Sequence, residues 1–310
     1  MPSVFSMFSV FTFITHRWYT RAMKFIFSTG SLYSYGTERS FAFAAKAGYD
    51  GIELMVDDRW DTRQADYLSA LVDRYGLPIL AVHSPFRNVP GWPPDQPALI
   101  AESVKLAETL GAPVVIHHLP NRLEFGFVRA NKFQLQWPLR ARGADQRYHQ
   151  WLLDGYPQLQ ESTAVKLCIE NMPARKWFGR KLNRHHWNTP ETITRFSTLT
   201  LDTTHLGTWG IDPTPVYEAW GNRVGHVHLS NYNGREHRRP EHGELDLARF
   251  IQTLVAHNYG GAVSLELHPD ALGAGKDDEH VIALMRGSLN HCRAWVTGET
   301  LSNKAAIGME

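Results

Sequence analysis

Cysteine is nearly absent. Cys168 and Cys292 are the only two in 310 residues, too few for a disulfide framework, so a reducing cytoplasm is the expected setting. No run of about 18 apolar residues occurs, which excludes a membrane-spanning helix by this criterion. Neither sign of charge dominates: 32 Lys and Arg against 31 Asp and Glu leave a net +1, which argues against a general nucleic-acid coat protein. A glycine-rich phosphate turn is also missing. Thr29-Gly30-Ser31 after the first predicted strand is too little for a dinucleotide fingerprint, and this disfavours a doubly wound sheet. There is no repeat of solenoid period and no low-complexity tract. With 43% hydrophobic and 20% charged residues, the composition is that of a globular chain rather than a disordered one. What the chain has in quantity is histidine, 16 residues, many of them near the ends of predicted strands.

The first 22 residues hold an apolar stretch, Val4 to Ile14. No basic residue precedes it, while His16, Arg17 and Arg21 follow it, the reverse of a secretory signal. Residues 1–22 are therefore expected to be a disordered or non-native extension, 23–297 the folded domain and 298–310 a tail.

From Lys24 onward, short β-rich runs alternate with amphipathic stretches. Strands are expected at 24–29, 51–55, 78–83, 113–118, 166–170, 199–203, 223–229 and 262–267. Helices are expected from Thr37 to Ala47 before Gly48, from Asp61 to Tyr75 before Gly76, and from Pro97 to Leu110 before Gly111. Thr189-Pro190-Glu191 and Asp212-Pro213 read as helix starts, with a cap and a first-turn proline. Asp246 to His257 and Asp277 to Val296 complete the set. This count and length predict a single-domain α/β fold, a (β/α)₈ barrel. Residues 119–150, after strand four, form an insertion expected to be an irregular loop and a candidate lid.

Active sites of such barrels lie at the C-terminal ends of the strands. Strand two ends near Glu53, strand three in His83, strand four in His117-His118 and strand five in Glu170-Asn171. Strand six ends in Asp202 with His205 three residues on, strand seven carries His226 and His228, and strand eight ends in Glu266 with His268 after it. Carboxylates and imidazoles are the ligands of hard or borderline divalent metals. A buried acid on a barrel strand is costly unless paired or metal-bound. Glu170, Asp202, His228 and Glu266 are thus the first candidate ligand set. His226 faces the same side as His228 but lies deeper, as packing or support for a ligand.

At these residues the chain resembles the xylose isomerase-like barrel superfamily, which includes sugar isomerases, sugar epimerases and endonuclease IV. The carrying segments are Ala44 to Leu54, Ile169-Glu170-Asn171, Leu201-Asp202-Thr203-Thr204-His205, Val227-His228-Leu229-Ser230-Asn231 and Leu265-Glu266-Leu267. The resemblance implies a divalent metal, zinc or manganese, on Glu170, Asp202, His228 and Glu266. In the epimerases, Glu170 and Glu266 would also be the catalytic acid/base pair. The resemblance to endonuclease IV implies further ligands and up to three ions: His83 in His-Ser-Pro-Phe, His117 or the adjacent His118, His205, and His237 after strand seven. That motif carries an acid two residues before its histidine, where this chain has Arg235, so Glu236 would have to substitute.

Local charge bears on the substrate. Residues 119–150 carry +4 and residues 171–190 carry +5, leaving −8 for the remainder. Both basic segments follow strands that end in candidate ligands, and Arg suits phosphate or carboxylate. Arg175, Lys176, Trp177 and Asn171 are the substrate-binding candidates, and the expected substrate is a small anionic molecule. Duplex DNA is disfavoured, because an acidic remainder opposes the phosphate contacts that dominate its affinity. A homo-oligomer is compatible with the sequence. Two reactions fit. The extra histidines favour metal-assisted phosphoester hydrolysis; the alternative is a one-metal isomerase or epimerase acting on a sugar or sugar phosphate.

Overall fold

The computed structural model describes residues 23–130 and 133–299. The expected extension 1–22 and residues 300–310 of the expected tail lie outside the described residues. Eight parallel strands close a barrel: β1 (Lys24–Ser28), β2 (Ile52–Met55), β3 (Ile79–His83), β4 (Val114–His117), β5 (Lys166–Glu170), β6 (Leu199–Asp202), β7 (Val224–Leu229) and β8 (Ala262–Leu265). Around it stand α1 (Thr37–Ala47), α2 (Ala65–Tyr75), α3 (Gln96–Leu110), α4 (Ala144–Glu161), α5 (Thr203–Trp209), α6 (Pro213–Trp220), α7 (Leu247–Ala256) and α8 (Asp278–Val296). Among the described residues no helix is long and apolar enough to cross a membrane.

The strands alternate, because successive side chains point to opposite faces. One set faces the helices: Phe27, Leu54, Val82, Val115, Ile169, Leu201, Val227 and Leu265 all lie in the large buried cluster between sheet and helices. Each such aliphatic or aromatic side chain contributes about 1.5–3 kcal/mol on burial. The other set fills the barrel. Ile26, Ala81, Val114, Ile116 and Cys168 form a second, smaller apolar cluster. Two residues further along four of these strands come Ser28, His83, His118 and Glu170. The alternation that packs the helices therefore also aims polar side chains into the barrel's C-terminal mouth.

One close approach depends on glycine. Between Leu199 and Thr200 the β6–β7 register shifts, and β7 takes up an extra residue at Gly225. A Cβ there would stand 2.8 Å from the Cys168 Sγ. Gly225→Ala is expected to destabilise the fold by about 1–3 kcal/mol through overpacking. Adding Cys168→Ala should recover part of the loss in denaturant unfolding. Equal stability of Gly225→Ala and wild type would contradict the contact.

Two expectations about connections need correction. Residues 119–150 are not an irregular loop: they hold an antiparallel hairpin, Leu123–Ala130 with Phe133–Arg140, and the first turns of α4. The helix expected after Thr189-Pro190 is one short turn, Ile193–Arg195. The Thr189 hydroxyl does accept the Thr192 N–H at 3.2 Å, as a cap would. But β6 begins at Leu199, which leaves no room for further turns. A second hairpin, Arg175–Trp177 with Arg180–Leu182, occupies the space after β5 instead.

Candidate metal centre

The mouth of the barrel is built around Glu170, at the end of β5 and fully buried. Its two oxygens look in different directions. Oε1 lies 3.1 Å from His228 Nδ1 and 3.2 Å from His205 Nδ1. Oε2 lies 3.2 Å from His118 Nε2 and 3.4 Å from His83 Nε2. Burial works against the Glu170 charge, but His228 and the imidazoles hydrogen-bonded to it hold the carboxyl well below the usual range.

His228 is the second hub. Its Nδ1 faces Glu266 Oε2 at 3.0 Å, Glu170 Oε1 at 3.1 Å and Asp202 Oδ2 at 3.7 Å. Its Nε2 faces Glu53 Oε2 at 3.0 Å, and His226 Nε2 reaches that same oxygen at 2.7 Å. Burial disfavours the imidazolium, yet Glu53, Glu266 and Glu170 together raise the His228 pKa well above its ordinary value. Glu53 is buried too, and His228 and His226 hold it well below the ordinary carboxylate range.

Asp202 does two jobs at the start of α5. Its Oδ1 caps the helix by accepting the His205 N–H at 2.7 Å. That cap sets His205 one turn along, where its Nδ1 meets the Asn171 carbonyl at 2.8 Å. Oδ2 is left buried without a hydrogen-bond partner. A buried carboxylate oxygen whose nearest imidazole nitrogens stand 3.6 and 3.7 Å away, too far for a hydrogen bond, is costly beside two other carboxylates, and a cation would satisfy it.

These contacts define groups of donor atoms lying within 4.8 Å of one another: Glu170, Asp202, His228 and Glu266; His83, His118 and Glu170; His205, Glu236 and His237; and Glu53, His226 and His228. Nitrogen and carboxylate donors of this kind fit zinc or manganese. The first three groups include most of the residues singled out from the sequence. In the third, Arg235 turns away and pairs with Asp270 at 2.7 Å, and Glu236 is the acid beside the two histidines. His237 takes a left-handed backbone, with φ of 56°, to reach this place.

Several assignments change. His117 does not enter any group. Its ring faces the helix layer, with Nδ1 2.8 Å from the Tyr148 hydroxyl and its ring against Tyr156, and burial lowers its pKa to about 3. His118, one residue on, points into the mouth, where Phe86 stacks on it with centroids 5.2 Å apart. The Asn171 side-chain amide is spent on the backbone. Its side-chain oxygen accepts the Asp202 N–H at 2.8 Å and its amide donates to the Asp202 carbonyl at 3.0 Å, latching β5 to β6. Arg175, Lys176 and Trp177 lie on the second hairpin and line neither cavity beside the groups. Trp177 meets Trp137 of the first hairpin edge-on at 5.6 Å, and the Arg175 guanidinium lies 5.3 Å from the Phe125 ring. Glu53 was named from the sequence only as a strand end. Its inward parity on β2, two residues after Gly51, was the signal for a role.

Two cavities open beside the groups. One, of about 570 Å³, is walled by Met55, Phe86, His237 and Glu266. The other, of about 530 Å³, is walled by His118, Arg87, Asn121 and Arg184. Glu266 keeps 17% of its side chain exposed, so it is the carboxylate of the first group most open to a ligand.

Residues 41–287 match the family described as the xylose isomerase-like TIM barrel, and the chain belongs to it. An uncharacterised protein of Mycobacterium leprae is 27% identical over 293 residues, covering 87% of this chain and 96% of that protein. Among solved structures, the 3-keto-D-glucoside 4-epimerase of E. coli superposes with a TM-score of 0.62 at 17% identity, over 88% of this chain and 100% of the other. The AP endonuclease, family 2, of Brucella melitensis superposes with a TM-score of 0.60 at 16% identity, over 84% and 97%. At such identities the structural likeness speaks for the fold alone.

Proposed function

We propose that this protein is a divalent-metal-dependent enzyme that hydrolyses a phosphoester in a small anionic substrate. One observation carries the reading: the two oxygens of Glu170 face two different donor groups, His83 with His118 on one side and His228 with His205 on the other. A carboxylate that offers one oxygen to each of two adjoining donor groups is suited to holding two neighbouring ions, as two-metal phosphoester chemistry would need. A one-metal enzyme has no need of His83 and His118 on the far oxygen.

In this reading His83, His118 and Glu170 hold one ion, and Glu170, Asp202, His228 and Glu266 hold a second. His205, Glu236 and His237 are the candidate holders of a third. Bound there, such ions supply Lewis acidity towards phosphoryl oxygens and make a nucleophile from water available at neutral pH. The chain's own residues do the rest. Glu53 accepts from His228 Nε2 and so keeps Nδ1 turned to the carboxylates. Phe86 covers one face of His118 and limits its rotation. Glu266, partly open to the larger cavity, is placed to take a proton from the attacking water at its carboxylate and return it to the leaving oxygen.

A second reading is a sugar isomerase or epimerase that works with one metal. It is favoured by the closeness of Glu170 and Glu266 to the same His228 nitrogen, at 3.1 and 3.0 Å, where two carboxylates could exchange protons with a substrate carbon. Solved structures of this fold also include proteins named as sugar epimerases. Metal stoichiometry separates the two. Two or three ions per chain in the fully active enzyme, with turnover on a phosphodiester panel, are expected for hydrolysis. One ion per chain, with turnover on a ketose panel, would overturn that reading in favour of the second.

A further inference from the structure

We infer that the cavity beside His118 is a second anion site, in which Arg87 and Arg184 receive a carboxylate or phosphate that the substrate carries away from its reacting group. The inference builds on the hydrolytic reading of the neighbouring groups and adds to it a substrate class: a small molecule with two anionic ends.

Three observations lead there. The first is unspent charge. Among the described residues, neither Arg87 nor Arg184 has a carboxylate within ion-pairing distance, although both line this cavity. Arg184 Nε is buried and has no hydrogen-bond partner. Burial and the nearby Arg175 both work against the Arg184 charge, and Asp145 and Glu124 offset this only in part. Asp145 also lines the cavity, but its Oδ1 is taken by Asn121, which donates its backbone N–H at 2.9 Å and its side-chain amide at 3.2 Å.

The second observation is fixed placement. The Arg184 carbonyl accepts N–H donors from Arg122 at 2.7 Å and Leu123 at 3.1 Å, tying the segment to the base of the first hairpin. Its guanidinium then lies 5.8 Å from the Phe125 ring. Arg87 lies 5.5 Å from the centre of Phe86, whose ring is itself stacked on His118. Each cation is thus held against an aromatic ring, which orients the planar guanidinium at little entropic cost.

The third observation is continuity. His118 lines the cavity and also approaches Glu170, so a ligand seated on the two arginines adjoins the candidate metal groups. The remaining imidazole on the wall, His185, is held neutral by burial, with a pKa of about 3, and adds no competing charge. The larger cavity differs. It shares Arg87 with the smaller one, but its other arginine, Arg59, is bound to both oxygens of Asp57, so a second free cation is found only on the His118 side among the residues lining the two cavities.

The test is calorimetric titration of the metal-loaded protein with inorganic phosphate. Wild type is expected to bind at two places, one on the metal groups and one on the arginines. Arg184→Gln should weaken the second event roughly tenfold or more while leaving the metal content unchanged, since one charge-assisted contact is lost. Arg184→Lys should retain part of it. Arg87→Gln, a change at an exposed residue, should weaken the same event and stands as the test if Arg184→Gln does not fold. Wild-type phosphate binding in both glutamine variants would overturn the site, as would a single event in wild type that is lost in His83→Ala. If metal analysis finds one ion per chain and the arginine variants still weaken phosphate, the hydrolytic reading fails and the anion site stands.

Discussion

His83→Ala is expected to abolish phosphodiester hydrolysis while leaving a metal ion tightly bound. His83 reaches the site's carboxylates through its Nε2, 3.4 Å from Glu170 Oε2, while its ring stacks on His228 at 5.7 Å between centroids; its other nitrogen is 2.9 Å from the Ser84 carbonyl. Among the described residues, the group formed by Glu170, Asp202, His228 and Glu266 does not include His83, so it keeps all its donors when His83 is replaced. The His83, His118 and Glu170 group drops to two donors, too few to retain an ion against competing water. Losing one ion of a two-ion site removes several kcal/mol of transition-state stabilisation, which corresponds to a rate loss on the order of 10³-fold. Metal analysis should find one ion fewer per chain than in wild type. An isomerase working through Glu170 and Glu266 would be far less affected, because no proton passes through His83. Unchanged turnover on the true substrate in His83→Ala would reverse the ranking of the two reactions.

The barrel was readable from the sequence because its strands carry two messages in one alternation. Val82-His83, Ile169-Glu170, Leu201-Asp202, Val227-His228 and Leu265-Glu266 each place an apolar residue toward the helices and a polar one toward the mouth. The same rule distinguishes His117 from His118. Val115 packs outward, so His117 must face outward as well, and His118 inward. Reading the pair as two neighbouring strand-end histidines, without parity, left that choice open. The first hairpin was also visible in principle, in the alternating apolar positions of Leu123-Glu124-Phe125 and Leu135-Gln136-Trp137. Taking residues 119–150 as one long irregular insertion passes over that period of two. Asn171 illustrates a different limit. Its neighbour Glu170 is a site residue, but its own amide is consumed by the Asp202 backbone 31 residues away, a pairing that only the closed barrel brings about. Arg184 and Arg87 likewise come from loops after different strands, and no spacing in the sequence brings them to one cavity.

Glu53→Gln is expected to lower metal affinity at the Glu170, Asp202, His228 and Glu266 group by about 10- to 100-fold, the usual cost of losing a carboxylate behind a metal-binding histidine. The substitution preserves shape. A glutamine oxygen can still accept from His226 and His228, so the change removes charge more than packing. Burial disfavours a cationic His228, and Glu53 is the largest of the charges that oppose this. Without that charge behind Nε2, His228 is a less basic ligand at its Nδ1. The effect should be specific, because Glu53 touches neither His83 nor His118: chelator competition should show one weakened ion, not two. A pH dependence follows in the metal-free protein. Since the folded-state pKa of Glu53 is depressed, the stability it contributes is fully present above about pH 4.3, the ordinary value for glutamate, and is lost as pH falls through the folded pKa. The stability gap between wild type and Glu53→Gln should therefore be wide at neutral pH and close on acidification. If Glu53→Gln lowers thermal stability but binds metal with wild-type affinity, Glu53 only fills the barrel, and its action through His228 is excluded.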